Sequence, residues 1–209
     1  IANNIYAKLV YGPEHILGIN GDGTPETVAN ITLEDVKTFY NGLSSNETSI
    51  AISGDVKKEE VVSKLAFMSK LKNSTLNIIK QPAAPSVNKT KIFFVDKKSA
   101  PQSEIRIGYM TDLPYDATGE FFKNQIMNFS FAGAFNSRVN YLEREIRGFT
   151  YGVRGGFSGG NKYAGPYTIS GGFRANSTDS ALIDIMGELK KYADGGIKDD
   201  ELNFAKNAM

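Results

Sequence analysis

The sequence of 209 residues has no cysteine, no tryptophan and a single histidine, His15. Without cysteine there is no disulfide framework, thiolate zinc site, iron–sulfur cluster or Cys nucleophile. One histidine excludes a two-His metal site and leaves one imidazole as a candidate base. His15 follows the Gly12-Pro13 break with only Glu14 beside it, and reads as a surface or packing residue. Neither sign of charge is in excess, with 24 Lys+Arg against 23 Asp+Glu and no basic run. That balance argues against nucleic acid as a partner. No apolar run reaches the ~18 residues that cross a bilayer. The opening residues of the chain are not expected to form a secretory leader. It begins at Ile1 and stops at Met209 inside helical patterns, so both ends are expected to lie within a longer protein.

What is present suits an ordinary folded domain, with 41% hydrophobic and 22% charged residues. Ile1, Ile5 and Leu9 share one helical face. Residues 18–30 have loop composition. Thr32-Leu33-Glu34-Asp35 is a helix start, followed by Val36, Phe39 and Tyr40 as the apolar face. Residues 49–53 read as a strand, and Asp55 as the cap of a helix turning Val61, Val62, Leu65 and Met68 inward. Residues 72–90 carry turn and linker composition, with Pro82 and Pro85 in it.

Beyond the linker, residues 91–95 and the alternating 104–110 read as strands. Residues 116–133 form an aromatic-rich helix. A second helix carries Val139, Leu142 and Ile146 and stops at Gly148. Residues 151–158 and 167–175 pair as antiparallel strands through a Gly159-Gly160-Asn161 loop. Two helices follow, over 179–192 and from Asp199 onward. The expected fold is α+β: a mainly antiparallel sheet covered by helices on one face. The expected division is 1–80, a linker at 81–90, and 91–209.

Much of the glycine lies in the pairs Gly155-Gly156, Gly159-Gly160 and Gly171-Gly172. None precedes a helix in phosphate-binding spacing, so bulges and turns account for them. Asn-x-Ser/Thr triplets begin at Asn30, Asn46, Asn73, Asn88, Asn128 and Asn176, and follow from composition. The informative stretch is 131–153. Arg144 closes a helix and Tyr151 opens a strand, with the Gly148 turn between them. A guanidinium and a phenol brought to one sheet edge suit a substrate carbonyl or its oxyanion. The other assignment pairs Arg144 with a neighbouring carboxylate and puts Tyr151 in the core.

This stretch resembles the insulinase/pitrilysin family of zinc metallopeptidases. Gly133, Phe135, Ser137 and Arg138 match the first part of the family motif, with Val139 in place of Leu. Arg144, Glu145, Gly148, Phe149 and Tyr151 match the second part, with Glu143 as a departure beside Leu142. The flanks agree: Tyr11-Gly12-Pro13-Glu14-His15, Gly23-Thr24-Pro25-Glu26 and Ile31-Thr32-Leu33-Glu34-Asp35-Val36 look like the end of one family module. Gln102 and Gly165-Pro166-Tyr167 look like parts of the next.

The resemblance implies paired α+β modules closing around an unfolded peptide. One half carries H-x-x-E-H and zinc for peptide hydrolysis. The opposite half supplies an Arg/Tyr pair that holds the substrate, and Arg144 and Tyr151 occupy those positions. H-x-x-E-H is absent here. The expectation is therefore the substrate-binding, non-zinc half, the tail of one module followed by most of a second. It would be inactive alone, with zinc in a companion half of the same chain or of a partner subunit. The alternatives are a non-catalytic scaffold or peptide-binding homologue of the family, and an unrelated carbohydrate- or peptide-binding domain. The 149–152 form looks most like bacterial envelope members, which points to the periplasm. Open sheet edges in such a piece favour a dimer.

Overall fold

The structure, a computed structural model, describes residues 1–71, 80, 82–160 and 163–209. The described residues form two compact units. The larger joins Ile1–Gly18 to Ala83–Met209, and the smaller is Ile19–Pro82.

In the larger unit, helix α1 (Ala2–Tyr11) is followed far along the chain by strand β1 (Gln102–Pro114). Helix α5 (Glu120–Asn128) continues as a π-helical segment Phe129–Gly133, and the short α6 (Arg138–Asn140) as another, Tyr141–Ile146. Strands β2 (Thr150–Gly160) and β3 (Tyr163–Arg174) follow, then α7 (Thr178–Gly195) and α8 (Asp199–Ala208). The antiparallel sheet has the order β1-β3-β2, with β3 central. The fold is α+β.

The core lies on one face of this sheet. Val153, Ile169 and Phe173 of the strands pack with Phe131, Ala132 and Val139 of the helical corner and Ala181 and Ile185 of α7. Each such fully buried large side chain contributes about 1.5–3 kcal/mol. Gly155 permits the close approach: a Cβ there would lie 2.6 Å from the Ala132 Cβ and 2.7 Å from the Tyr167 hydroxyl. The opposite face carries α1. Tyr6 Oη shares a 2.8 Å hydrogen bond with Thr168 Oγ1, and Arg106 Nε donates to Asn3 Oδ1 at 3.0 Å. Helix α1 is thereby held within the larger unit.

The smaller unit holds helices α2 (Pro25–Ala29), α3 (Leu33–Asn41) and α4 (Lys58–Lys64). Thr32 caps α3 as expected, accepting from Asp35 N–H while Asp35 accepts from Thr32 N–H. Helix α2 interrupts the expected loop, because Thr24 caps it and Pro25 sits at its first position. Asp55 does not cap α4; Lys57 occupies that position. Val36, Phe39, Tyr40 and Val62, expected to point inward, are exposed.

Residues 49–53 and 91–95, expected as strands, are irregular. An apolar run becomes a strand only when a neighbour satisfies its backbone groups. Among the described residues neither run joins the β1-β3-β2 sheet. The helix expected from 116 begins at Glu120, after a turn in which Thr118 N–H donates to Asp116 Oδ1. The expected 159–161 loop is shorter: Gly159 and Gly160 pair with Ala164 and Tyr163. Asn161 lies outside the described residues, as do residues 72–79 and 81 of the expected 72–90 linker, Lys72-Asn73-Ser74-Thr75 among them.

Candidate functional site

The start of β1, the end of β3, the start of β2 and the helical corner before Gly148 meet at one end of the sheet. Gln102 is the register partner of Arg174 there, and Thr150 that of Phe173. The corner is closed by backbone bonds: Arg147 N–H donates to Leu142 O, Phe149 N–H to Glu143 O, and Arg174 N–H to Phe149 O. Gly148 turns the chain with φ +63, a left-handed conformation that favours glycine. Arg147 fixes the corner to α7 through a two-point ion pair with Asp184 at 2.7 and 3.1 Å.

Between Thr150 and Val153 the β2–β3 register shifts, setting Tyr151 and Gly152 opposite a single residue of β3. Such a bulge re-aims a side chain. Thr150 Oγ1 holds it by donating to Gly172 O at 2.7 Å and accepting from Gly152 N–H at 3.0 Å. The outcome is a Tyr151 side chain 90% exposed, which excludes the core assignment.

Arg144 and Tyr151 line the same open cleft of about 340 Å³, with Gln102, Glu145, Thr150 and Arg174. The Arg144 guanidinium stands 4.3 Å over the Phe135 ring and forms an ion pair with Glu145 at 3.1 Å. It thus has the carboxylate partner of the alternative assignment, while its planar fork of five donors leaves N–H groups for a second acceptor. A second cleft of about 490 Å³, lined by Phe121, Phe122, Phe129 and Met209 among others, contains neither residue.

The positioning role of Asn140 and the burial of Glu143 escaped the sequence reading. Asn140, 1% exposed, donates to Phe135 O at 2.6 Å and accepts from Val153 N–H at 2.8 Å, joining the Phe135 loop to β2. A lone polar residue on the buried side of a helix was the available signal. Glu143 is fully buried and neither carboxylate oxygen has a partner. Burial, assisted by the Asp184 carboxylate and opposed by Arg147, pushes its carboxyl from an ordinary 4.5 up to about 7.

The description "peptidase M16 inactive domain" matches residues 30–209. The chain belongs to this family. It is the insulinase-like family that the 131–153 motif resembles. A peptidase M16 inactive domain from Pseudomonas fluorescens is 26% identical, with a TM-score of 0.81 over 99% of this chain and 49% of that one. A protease from Helicobacter pylori shares the fold at 16% identity, with a TM-score of 0.77 over 93% of this chain and 48% of that one. A conserved protein from Enterococcus faecalis V583 does so at 18% identity, with a TM-score of 0.65 over 99% and 48%. The M16 chain thus spans about half the length of these structures. No curated protein matches it.

The residues of this M16 inactive domain do not fit the family's zinc. Among the described residues no three His, Cys, Asp or Glu side chains converge. His15 Nδ1 accepts the Leu17 N–H at 3.0 Å, and its ring stacks on Tyr11 at 5.2 Å. No described helix is long and apolar enough to cross a membrane.

Proposed function

We propose that this chain is the substrate-holding, non-zinc half of a zinc metalloendopeptidase acting on unfolded peptides. The observation that carries the reading is the exposed Tyr151 phenol in one cleft with the Arg144 guanidinium. Both groups donate hydrogen bonds, and donors aimed at a carbonyl oxygen stabilise the charge that develops there during peptide hydrolysis. Zinc and the general base belong to a companion half, in the same chain or a partner subunit. In this reading residues 1–80 close one module and 91–209 open the next.

Arg144→Ala and Tyr151→Phe in the intact protein should each lower peptide turnover by about 10²-fold. The unfolding curve of Tyr151→Phe should stay within about 0.5 kcal/mol of the parent, since Tyr151 is exposed. Undiminished cleavage by both variants would overturn the proposal. The Arg144–Glu145 ion pair favours a second reading, a scaffold homologue in which Arg144 only braces the corner. Absence of H-x-x-E-H from the whole protein and its partner subunit would select that reading.

A further inference from the structure

We infer that the cleft also selects for a carboxylate in the bound peptide, and that Arg174 is the residue that reads it. This rests on the proposed peptide-holding role of the same cleft. Arg106, Arg138, Arg144 and Arg147 each hold a carboxylate, and Arg154 donates to a backbone carbonyl. Arg174 is exposed at the end of β3, and its guanidinium, unlike its backbone N–H, has no hydrogen bond or ion pair among the described residues. It is not stranded on an open surface, because it lines the cleft with Arg144 and Tyr151.

Its guanidinium lies over the turn that joins those two residues. A Cβ built on Gly148 would meet Arg174 Nη2 at 3.8 Å. The cleft therefore holds two guanidiniums against one carboxylate, Glu145, which Arg144 already engages. An unpaired guanidinium presents a planar fork of donors whose best partner is a carboxylate bound through two oxygens. A peptide whose backbone carbonyl meets Arg144 and Tyr151 thus offers its neighbouring acidic group to Arg174. That group is either an Asp or Glu side chain or the terminal carboxylate.

The test uses three fluorescein-labelled peptides of Gly, Ser and Ala with one variable central residue. The first has Glu and an amidated C-terminus, the second Gln and an amidated C-terminus, and the third Gln and a free C-terminus. Binding to the 209-residue chain is read by fluorescence anisotropy. The first or the third peptide should bind about fivefold or more tighter than the second. Which of them gains tells side-chain from terminal carboxylate.

Arg174→Gln should erase that gain, bringing the three peptides to a common affinity, and Lys206→Gln, a charge loss elsewhere, should keep it. Equal binding of all three peptides, or a gain that survives in R174Q, overturns the inference. If the second peptide binds and loses affinity in Arg144→Ala and Tyr151→Phe, the holding role stands whatever Arg174 does. If no peptide binds, both fall together.

Discussion

Glu143 stands with a fully buried carboxyl one position before Arg144. Its protonated form suits that environment, and its carboxylate does not. A carboxyl raised from 4.5 to about 7 binds its proton more tightly in the folded than in the unfolded state. Stability is then greatest below the unfolded value and falls as pH rises towards 7. Ionisation at higher pH costs up to about 3 kcal/mol. Glu143→Gln should flatten this dependence, so that the variant exceeds the parent in urea unfolding at pH 8 but not at pH 4. Parallel curves for the two proteins across that range would refute the assignment. Glu201 behaves oppositely. Arg138 binds both its carboxylate oxygens, with Nη2 at 2.6 Å from Oε2, and holds the carboxyl below its ordinary range. That contribution is lost as pH falls through the lowered value.

At the scale of elements, the helical corner reaches the sheet because of what β2 lacks. Gly155 has the π-helical segment's Ala132 and the Tyr167 hydroxyl against it. Asn128 adds a bond across the same contact, donating to Gly155 O at 2.8 Å while accepting from Tyr167 Oη at 2.9 Å. Gly155→Val forces these layers apart and should cost about 1–3 kcal/mol. Gly156→Val, where a Cβ meets nothing within 4 Å, serves as the control and should cost less. Equal destabilisation by the two substitutions in thermal unfolding would show that the close approach is not what Gly155 provides. Helix α8 is tied to the same corner by Arg138, which also stacks on Tyr192 at 4.6 Å, and by Ser130 Oγ donating to Glu201 O at 2.9 Å.

At the scale of the whole molecule, the larger unit has a core and the smaller has little. Ser44 is the only buried residue described in Ile19–Pro82. The larger unit carries its own exposed apolar run, with Ile92 89% and Phe94 85% exposed and unpaired with the sheet. Such a run is a template for pairing between chains. The 209-residue chain should therefore associate with itself as concentration rises in sedimentation velocity, and Phe94→Lys should weaken that association. A single monomer boundary at high concentration would count against it.

The sequence by itself determined what depends on near neighbours: a helix opening at Thr32-Leu33, one over 179–192 and one from Asp199, the alternation of β1, the Gly148 turn, and the motif carrying Arg144 and Tyr151. It also excluded thiolate and two-His zinc sites, since those donor types are countable without coordinates. Tertiary structure alone decided what depends on distant partners. Residues 49–53 and 91–95 have strand composition yet lack a ladder, because pairing is supplied from elsewhere in a chain. The exposure of Tyr151 comes from a bulge against β3, and the burial of Glu143 from packing of its helical segment. Arg174 joins Arg144 across thirty positions of sequence only because β3 runs antiparallel between its neighbours, and no local period encodes where such a strand will end.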